Sequence, residues 1–211
     1  MIRPTRMEKK LTQEQIWDAI AQNWQEYKKV AFPNVDEFLR GKKGRILDLW
    51  CGSVRNFSAF PKDVIICGVD FSRKMLEFAE QEAEKLQISC LLFKAEEFEL
   101  PFEDNFFDAA IFVATLHCID SAEKREKALK ELFRVLKPES RLFLTCWSKT
   151  HARIKGKTKD QIISWAVDEK RYERYYYIYD KEELESLLKK VGFKILSSEE
   201  DKNIIIVAEK P

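Results

Sequence analysis

Glycine and histidine are scarce in this sequence, which has six glycines and two histidines among its 211 residues. Neither glycine-rich phosphate-binding pattern is present: there is no GxGxxG and no GxxxxGK followed by Ser or Thr. These absences argue against a site for a dinucleotide or a nucleoside triphosphate. A sharp turn with few glycines suits a nucleoside-like ligand that lacks a pyrophosphate.

Patterns for metal binding, membrane insertion and secretion are missing too. The five cysteines form no CxxC pair and have no metal-ligand spacing, so we expect buried free thiols in a reducing compartment. No apolar run approaches the ~20 residues that span a bilayer, and no signal peptide is visible. A net charge of +1 with 35% charged residues is typical of a globular domain. We expect a cytoplasmic protein with no membrane contact.

The chain does contain short apolar runs that alternate with amphipathic helices. Predicted strands are 46–49, 64–70, 88–93, 106–113 and 141–147, and the main predicted helices are 75–85, 122–136 and 181–191. Segments 193–196 and 203–208 predict a closing β-hairpin. This order predicts an α/β fold with a mostly parallel, seven-stranded sheet and helices on both faces.

The predicted organisation is one domain over 12–211, preceded by a disordered basic tail over 1–11. N-terminal helices are expected over 12–43, and the first begins at a capping signature formed by Thr12 and Gln15. Residues 149–179 are basic and aromatic and break the alternation. We expect them to lie as a substrate-side insertion over the ligand edge of the sheet.

Two acids stand near the ends of neighbouring predicted strands, Asp48 and Asp70, with Gly52 in the turn after the first strand. A carboxylate at the end of the second strand can accept hydrogen bonds from both hydroxyls of a ribose. A helix N-cap or a surface acid is the alternative for Asp70. A nucleoside ligand without a pyrophosphate is consistent with S-adenosylmethionine.

Four segments resemble the motifs of class I S-adenosylmethionine-dependent methyltransferases, which have a Rossmann-like fold: 48–56, 68–76, 95–108 and 132–138. The resemblance implies that Asp48 holds the methionine amino group through water and that the Gly52 backbone approaches the methionine portion. It assigns the ribose to Asp70, the faces of the adenine to Phe71 and Met75, and the adenine edge to Ala95 and Glu96. Val113 and Ala114 would line the floor, and Asn56 is placed in the same site.

The resemblance is broken at three positions. The family usually has glycine where this chain has Trp50 and Val54, and an aspartate where it has Lys94. Glycine permits close backbone approach and positive φ. We therefore expect the Trp50 indole to point away from the ligand.

A narrower resemblance is to tRNA wobble-uridine carboxymethyl methyltransferases. It is carried by 16–24, Phe32-Pro33, Phe38-Leu39, the segment 114–118, Trp147 and the run 174–176. Lys28 departs from it, since that family tends to have arginine there. The implied acceptor is a carboxylate on a modified uridine, with Arg174 pairing it and His117 and Tyr175 positioning it. A core histidine and a packed aromatic stretch are the alternatives for the last two.

Charge also predicts partners. Residues 149–174 contain eight basic and four acidic residues, which suits tRNA. Predicted strand 88–93 lies among acids as an apolar sheet edge, which needs a covering partner. By resemblance, that partner is a small zinc-binding activator protein. A small-molecule methyltransferase of the same fold and a non-catalytic binding protein remain as alternatives.

Overall fold

The computed structural model describes residues 11–27, 30–154, 156 and 158–211. In chain order, its helices and strands are α1 Gln13–Tyr27, α2 Val35–Leu39, β1 Gly44–Leu49, β2 Val64–Asp70, α3 Arg73–Lys85, β3 Cys90–Lys94, β4 Phe107–Val113, α4 Ala122–Val135, β5 Leu136–Trp147, β6 Asp160–Val167, β7 Lys170–Tyr177, α5 Lys181–Val191, β8 Lys194–Glu200 and β9 Asn203–Glu209. Residues 1–10 of the predicted tail and Lys28 lie outside the described residues, and the predicted domain boundaries stay predictions.

Seven strands form one sheet in the order β3-β2-β1-β4-β5-β9-β8. The pairings from β3 to β5 are parallel, and β9 is antiparallel to both β5 and β8. The predicted fold class is therefore confirmed, including the C-terminal hairpin. None of the helices in the described part of the chain has both the length and the apolar character that a membrane span requires.

Strand alternation distributes the core over both faces of the sheet. Leu47 packs with the residues of α4 and α5 on one face, while Ile46 packs with those of α2 and α3 on the other. Burying a side chain of this kind stabilises the folded state by about 1.5–3 kcal/mol relative to leaving it exposed. The N-terminal helix α1 lies at the carboxyl edge of the sheet, where Trp17 and Ile20 pack against Phe71.

Local sequence signals account for several element ends. At the start of α1, the Thr12 N–H donates to Gln15 Oε1 at 3.0 Å and the Gln15 N–H donates to Thr12 Oγ1 at 3.2 Å, which is the predicted capping box. At the end of α5, Gly192 adopts a φ of 118°, and the Phe193 N–H returns to the Leu188 carbonyl. These caps fix where each helix meets the sheet.

Two element predictions differ from the structure. The segment 149–179 contains an unpredicted two-stranded hairpin, β6–β7, which forms a separate sheet. Strand β5 begins at Leu136, directly after α4, although helix was predicted through 136 and strand only from 141. The ladder between β4 and β5 shifts register between Phe107 and Ala109, so a bulge accommodates Pro138, which has no N–H to donate.

Candidate active site

A cavity opens at the carboxyl ends of β1 and β4. The strand order reverses between these two strands, because β2 and β3 extend the sheet beyond β1 while β5 follows β4. Ligands of open α/β sheets bind in such a crevice. Four of the five tryptophans lie on the cavity wall: Trp17, Trp24, Trp50 and Trp147.

The turn after β1 and the acid at the end of β2 face each other in this cavity. The Gly52 N–H donates to Asp70 Oδ2 at 2.9 Å, and the Ser72 N–H donates to Asp70 Oδ1 at 2.9 Å. Ser72 is itself the N-cap of α3, since its hydroxyl accepts from the Met75 N–H at 3.1 Å. Asp70 is therefore not a helix cap, and the predicted ribose role keeps its geometric basis.

Three residues of the turn after β1 adopt the left-handed backbone conformation that glycine favours, although only one of them is a glycine. Trp50, Gly52 and Val54 have φ values of 54°, 56° and 57°. For the two non-glycine residues this left-handed conformation costs roughly 1–3 kcal/mol each. The Trp50 indole does not point away from the cavity as expected: it lies in the wall and donates through Nε1 to Glu97 Oε2 at 3.0 Å.

Asp48 is buried beneath the cavity beside Arg55 and Asn56. Its Oδ2 makes no hydrogen bond within the described residues. Burial raises the pKa of Asp48 to about 8, opposed by the positive charge of Arg55 and a hydrogen bond from Asn56. A buried carboxylate oxygen without a partner is suited to a cationic ligand group acting through water. This orphan oxygen fits the ammonium of an adenosyl-amino-acid cofactor, as Asp70 fits its ribose.

The free energy of unfolding of the unliganded protein should fall as the pH rises from roughly 4 to about 8, because Asp48 stays protonated in the folded state over this range. Its pKa is about 8 in the folded state against roughly 3.9 unfolded. Between these values only the unfolded chain releases the proton. The free energy of unfolding should therefore fall, for this group, by up to about 1.4 kcal/mol per pH unit.

Thermal unfolding of wild type and Asp48→Asn from pH 4 to 9 measures this effect. The stability difference between the two proteins should move in favour of the variant as pH rises, and level off above pH ~8. Asp63→Asn, at an exposed position before β2, is the control and should parallel wild type. Parallel curves for Asp48→Asn and wild type would refute the assignment.

The other predicted cofactor residues fall into two groups. Asn56, Phe71, Met75, Val113 and Ala114 lie on the cavity wall. Glu96 is exposed and lines a wider adjoining groove, which meets the cavity at Trp50, Phe71 and Cys118. Ala95 lines neither space, and its N–H donates to the Asp70 carbonyl at 3.2 Å.

His117 is fully buried on the cavity wall, in the 3-10 turn Leu116–Cys118 after β4. Its Nδ1 accepts from the Trp147 N–H at 3.3 Å, and its Nε2 has no partner within the described residues. Burial, followed by the charges of His151 and Arg174, lowers the pKa of His117 to about 3. A neutral imidazole that accepts at Nδ1 carries its proton on Nε2. His117 is thus a hydrogen-bond donor and not a free base.

Arg174 is fully buried in a cage of aromatic rings. Its guanidinium carbon lies 4.9–5.3 Å from the ring centroids of Trp17, Trp24, Trp165 and Tyr176. None of its three nitrogens has a hydrogen-bond partner in the described part of the chain. Cation–π contacts offset only part of the cost of burying an unpaired charge. An uncompensated cation of this kind is suited to an anionic ligand.

The structure does not bring Tyr175 to Arg174 and His117. Successive residues of β7 point to opposite faces, so Tyr175 lies on the other side, where its hydroxyl bonds Asp160 and lies 3.5 Å from Arg125. Tyr176 occupies the cavity wall instead and stacks on His117 at 5.3 Å. Sequence reasoning missed Tyr176 and the buried Glu97; the alternation of β7 would have identified Tyr176 had the hairpin been recognised.

The fold and this crevice define a Rossmann-like, nucleoside-binding α/β domain. Residues 47–144 match the family model described as a methyltransferase domain. A putative methyltransferase of Encephalitozoon cuniculi is 30% identical over 175 residues, which cover 78% of each chain. The chain belongs to the class I S-adenosylmethionine-dependent methyltransferases, and S-adenosylmethionine is its cofactor.

Two further similarities are more distant or partial. The tRNA (carboxymethyluridine(34)-5-O)-methyltransferase of Arabidopsis thaliana is 30% identical over 135 residues, which cover 63% of this chain but only 32% of that protein. A solved complex of the Haloferax volcanii Trm112 methyltransferase activator with a putative methyltransferase matches with a TM-score of 0.71 at 13% identity, covering 96% of this chain and 100% of the matched one. This structural likeness shows the fold alone.

Proposed function

We propose that this enzyme methylates a carboxylate on a modified wobble uridine of tRNA. The observation that carries the proposal is the Arg174 guanidinium, which is buried without a hydrogen bond in the described residues. A guanidinium binds a carboxylate through two parallel hydrogen bonds. Trp17, Trp24 and Tyr176 stand between it and the cavity. One of these rings has to turn for the carboxylate to reach Arg174.

The protonation state of His117 favours the same acceptor. Because its Nδ1 already accepts from Trp147, His117 has no nitrogen left to act as a base, and its buried Nε2–H can only donate. An alcohol or ammonium acceptor needs a base, whereas a carboxylate is ionised at neutral pH. When bound, S-adenosylmethionine would supply an electrophilic methyl group, to which a carboxylate oxygen would bond while the carbon–sulfur electron pair remained on sulfur. The chain's own contribution is then chiefly to orient the acceptor.

A column of stacked rings could hold the base that carries the carboxylate. His151 lies 3.9 Å from Trp147 at 8° between planes, Trp147 lies 4.7 Å from Tyr176 at 14°, and Tyr176 continues to His117. Single-stranded RNA is commonly read by stacking a splayed-out base on such side chains. The similarity to the Arabidopsis tRNA (carboxymethyluridine(34)-5-O)-methyltransferase supports an RNA base as the carrier.

The surface charge supports tRNA only in part. Within the described part of the insertion, Lys149 and Lys159 form ion pairs with Asp180, while Arg153 packs over the rings of Tyr27 and Trp165. Lys155 and Lys157 lie outside the described residues. The exposed side of this insertion remains the proposed RNA face, and its affinity should fall with added salt.

A small zinc-binding activator is proposed at the free edge of the sheet. Within the described part of the chain, strand β3 pairs with β2 alone, and Leu91 is 53% exposed. An apolar edge strand without a partner is an aggregation liability. The Haloferax complex, whose methyltransferase shares this fold, supports a partner of the activator type.

Leu91→Lys should prevent co-purification with the organism's own activator. The yield of soluble enzyme should fall by a smaller factor than the yield of the complex. A charge in the centre of an apolar interface costs several kcal/mol when unpaired. Size-exclusion chromatography of the co-expressed pair measures the complex. Ile162→Lys is the matched control, because Ile162 is 59% exposed on the separate hairpin. Equal complex formation by both variants would place the activator elsewhere.

The acceptor is tested by methyl transfer from tritiated cofactor to bulk tRNA and, in parallel, to a tRNA-free metabolite extract. A carboxylate methyl ester releases its label as volatile methanol in mild alkali, whereas base and ribose methyl groups stay bound. Alkali-labile label on tRNA is the expected result. Label confined to the metabolite extract would instead establish the alternative, a small-molecule methyltransferase.

A further inference from the structure

The Trp50 indole makes a pair of contacts that a nucleobase would also make. One face lies against Phe71, with ring centroids 4.5 Å apart and planes tilted by 36°. Its N–H donates to Glu97 Oε2 at 3.0 Å. The ring lines both the cavity and the adjoining groove. A flat bicyclic ring with an N–H on its edge is therefore already accommodated beside Phe71, the residue after Asp70.

The backbone conformation is what directs the indole to this place. Trp50 has a φ of 54°, in the region that L side chains rarely adopt. The residue after it is tied to β2, because the Cys51 N–H donates to the Val69 carbonyl at 3.0 Å. This hydrogen bond holds the turn beside β2, and the Trp50 side chain contacts Phe71 and Glu97.

Glu97 is the acid that lies within hydrogen-bond distance of the Trp50 indole. Position 94, where the family pattern has an aspartate, is a lysine whose Nζ pairs with exposed Glu14 at 2.6 Å. Glu96 is exposed to water, whereas Glu97 is only 3% exposed. A buried carboxylate that accepts an N–H discriminates strongly between ligands that can donate and ligands that cannot, because failure to donate leaves it unpaired.

We propose that Glu97 recognises the exocyclic amino group of the cofactor's adenine, and that the Trp50 indole occupies this site until the cofactor displaces it. An adenine amino group is an N–H donor, as the indole N–H is, and its ring can take the place of the indole against Phe71. A 6-oxo purine presents a carbonyl oxygen at the same position and would face the carboxylate with a second acceptor. Glu97 is then the residue that selects an adenine nucleoside.

Calorimetric titration with S-adenosylhomocysteine and with its 6-oxo analogue, S-inosylhomocysteine, tests the selectivity. Wild type should bind the adenosyl compound at least about 30-fold more tightly, as expected for a hydrogen bond to a buried charged group. In Glu97→Gln this preference should fall to within about threefold, because an amide can donate to the 6-oxo group. Glu99→Gln, the same change two residues away at an exposed position that lines neither the cavity nor the groove, should keep the wild-type ratio.

Equal weakening of both ligands in Glu97→Gln, or the same ratio as wild type, would overturn the recognition role. Trp50→Phe tests the displacement independently and needs no change at Glu97. It removes the N–H that competes for the carboxylate, so S-adenosylhomocysteine should bind about 3- to 10-fold more tightly. Weaker binding would mean that the indole stabilises the bound cofactor and does not compete with adenine for the site.

Discussion

Asp70→Ala should weaken S-adenosylhomocysteine binding by at least about 100-fold, because two hydrogen bonds to a charged group contribute roughly 1.5–3 kcal/mol each. Asp70 is 4% exposed, and its oxygens also accept from the Gly52 and Ser72 N–H groups at 2.9 Å. Its loss should therefore remove the proposed ribose acceptor and release the turn after β1 at the same time. Asp70→Asn keeps one acceptor oxygen and should fall between wild type and Asp70→Ala.

Isothermal titration gives the affinity, and thermal unfolding separates lost binding from lost structure. Asp63→Ala is the matched control, since it removes an exposed acid just before the same strand. Burial raises the pKa of Asp70 to about 7, although its backbone hydrogen bonds oppose the shift. The affinity of the wild type should therefore increase from pH 6 to 8, as Asp70 becomes able to accept from both ribose hydroxyls. Affinity within threefold of wild type in Asp70→Ala would remove Asp70 from the ribose site.

The predictable part of the fold is the part in which local pattern and sheet geometry coincide. Apolar runs flanked by turns located β1, β2 and β4 because both faces of these central strands are buried. The convergence of Gly52 with Asp70 followed from parallel strands ending at one edge. β5 begins earlier than predicted, because a bulge in its pairing with β4 accommodates Pro138.

Two features of the site could not be predicted: which residues of β7 face the cavity, and which of two adjacent acids after β3 is buried. Exposure alternates along β6 and, from Arg171 onward, along β7, so a strand that is not recognised gives no basis for choosing between Tyr175 and Tyr176. Glu96 and Glu97 are adjacent acids in a connection without regular structure, and only the fold buries the second. Sequence identifies residue types at such positions, whereas tertiary packing decides which one faces the ligand.

Arg174→Met should lower kcat/KM for the carboxylate acceptor by at least about 100-fold while leaving the free energy of unfolding unchanged or raising it by up to about 2 kcal/mol. The two effects have one cause. A guanidinium without hydrogen bonds is costly in the free enzyme and is compensated when an anion arrives. Methionine fills the aromatic cage without a charge to desolvate, and loses only cation–π attraction of about 2 kcal/mol.

The measurements are acceptor methylation, titration of S-adenosylhomocysteine and denaturant unfolding on the same preparations. Arg171→Met is the matched control, because Arg171 lies on the same strand but is exposed on its opposite face; it should change none of the three beyond a modest increase in KM for RNA. Arg174→Lys should retain an intermediate rate, since an ammonium pairs with a carboxylate at a single point and not through two parallel bonds. A structural residue would behave differently: Arg174→Met would then lose stability, cofactor affinity and rate together. Loss of rate at unchanged or increased stability is the combination that only an anion-binding role explains.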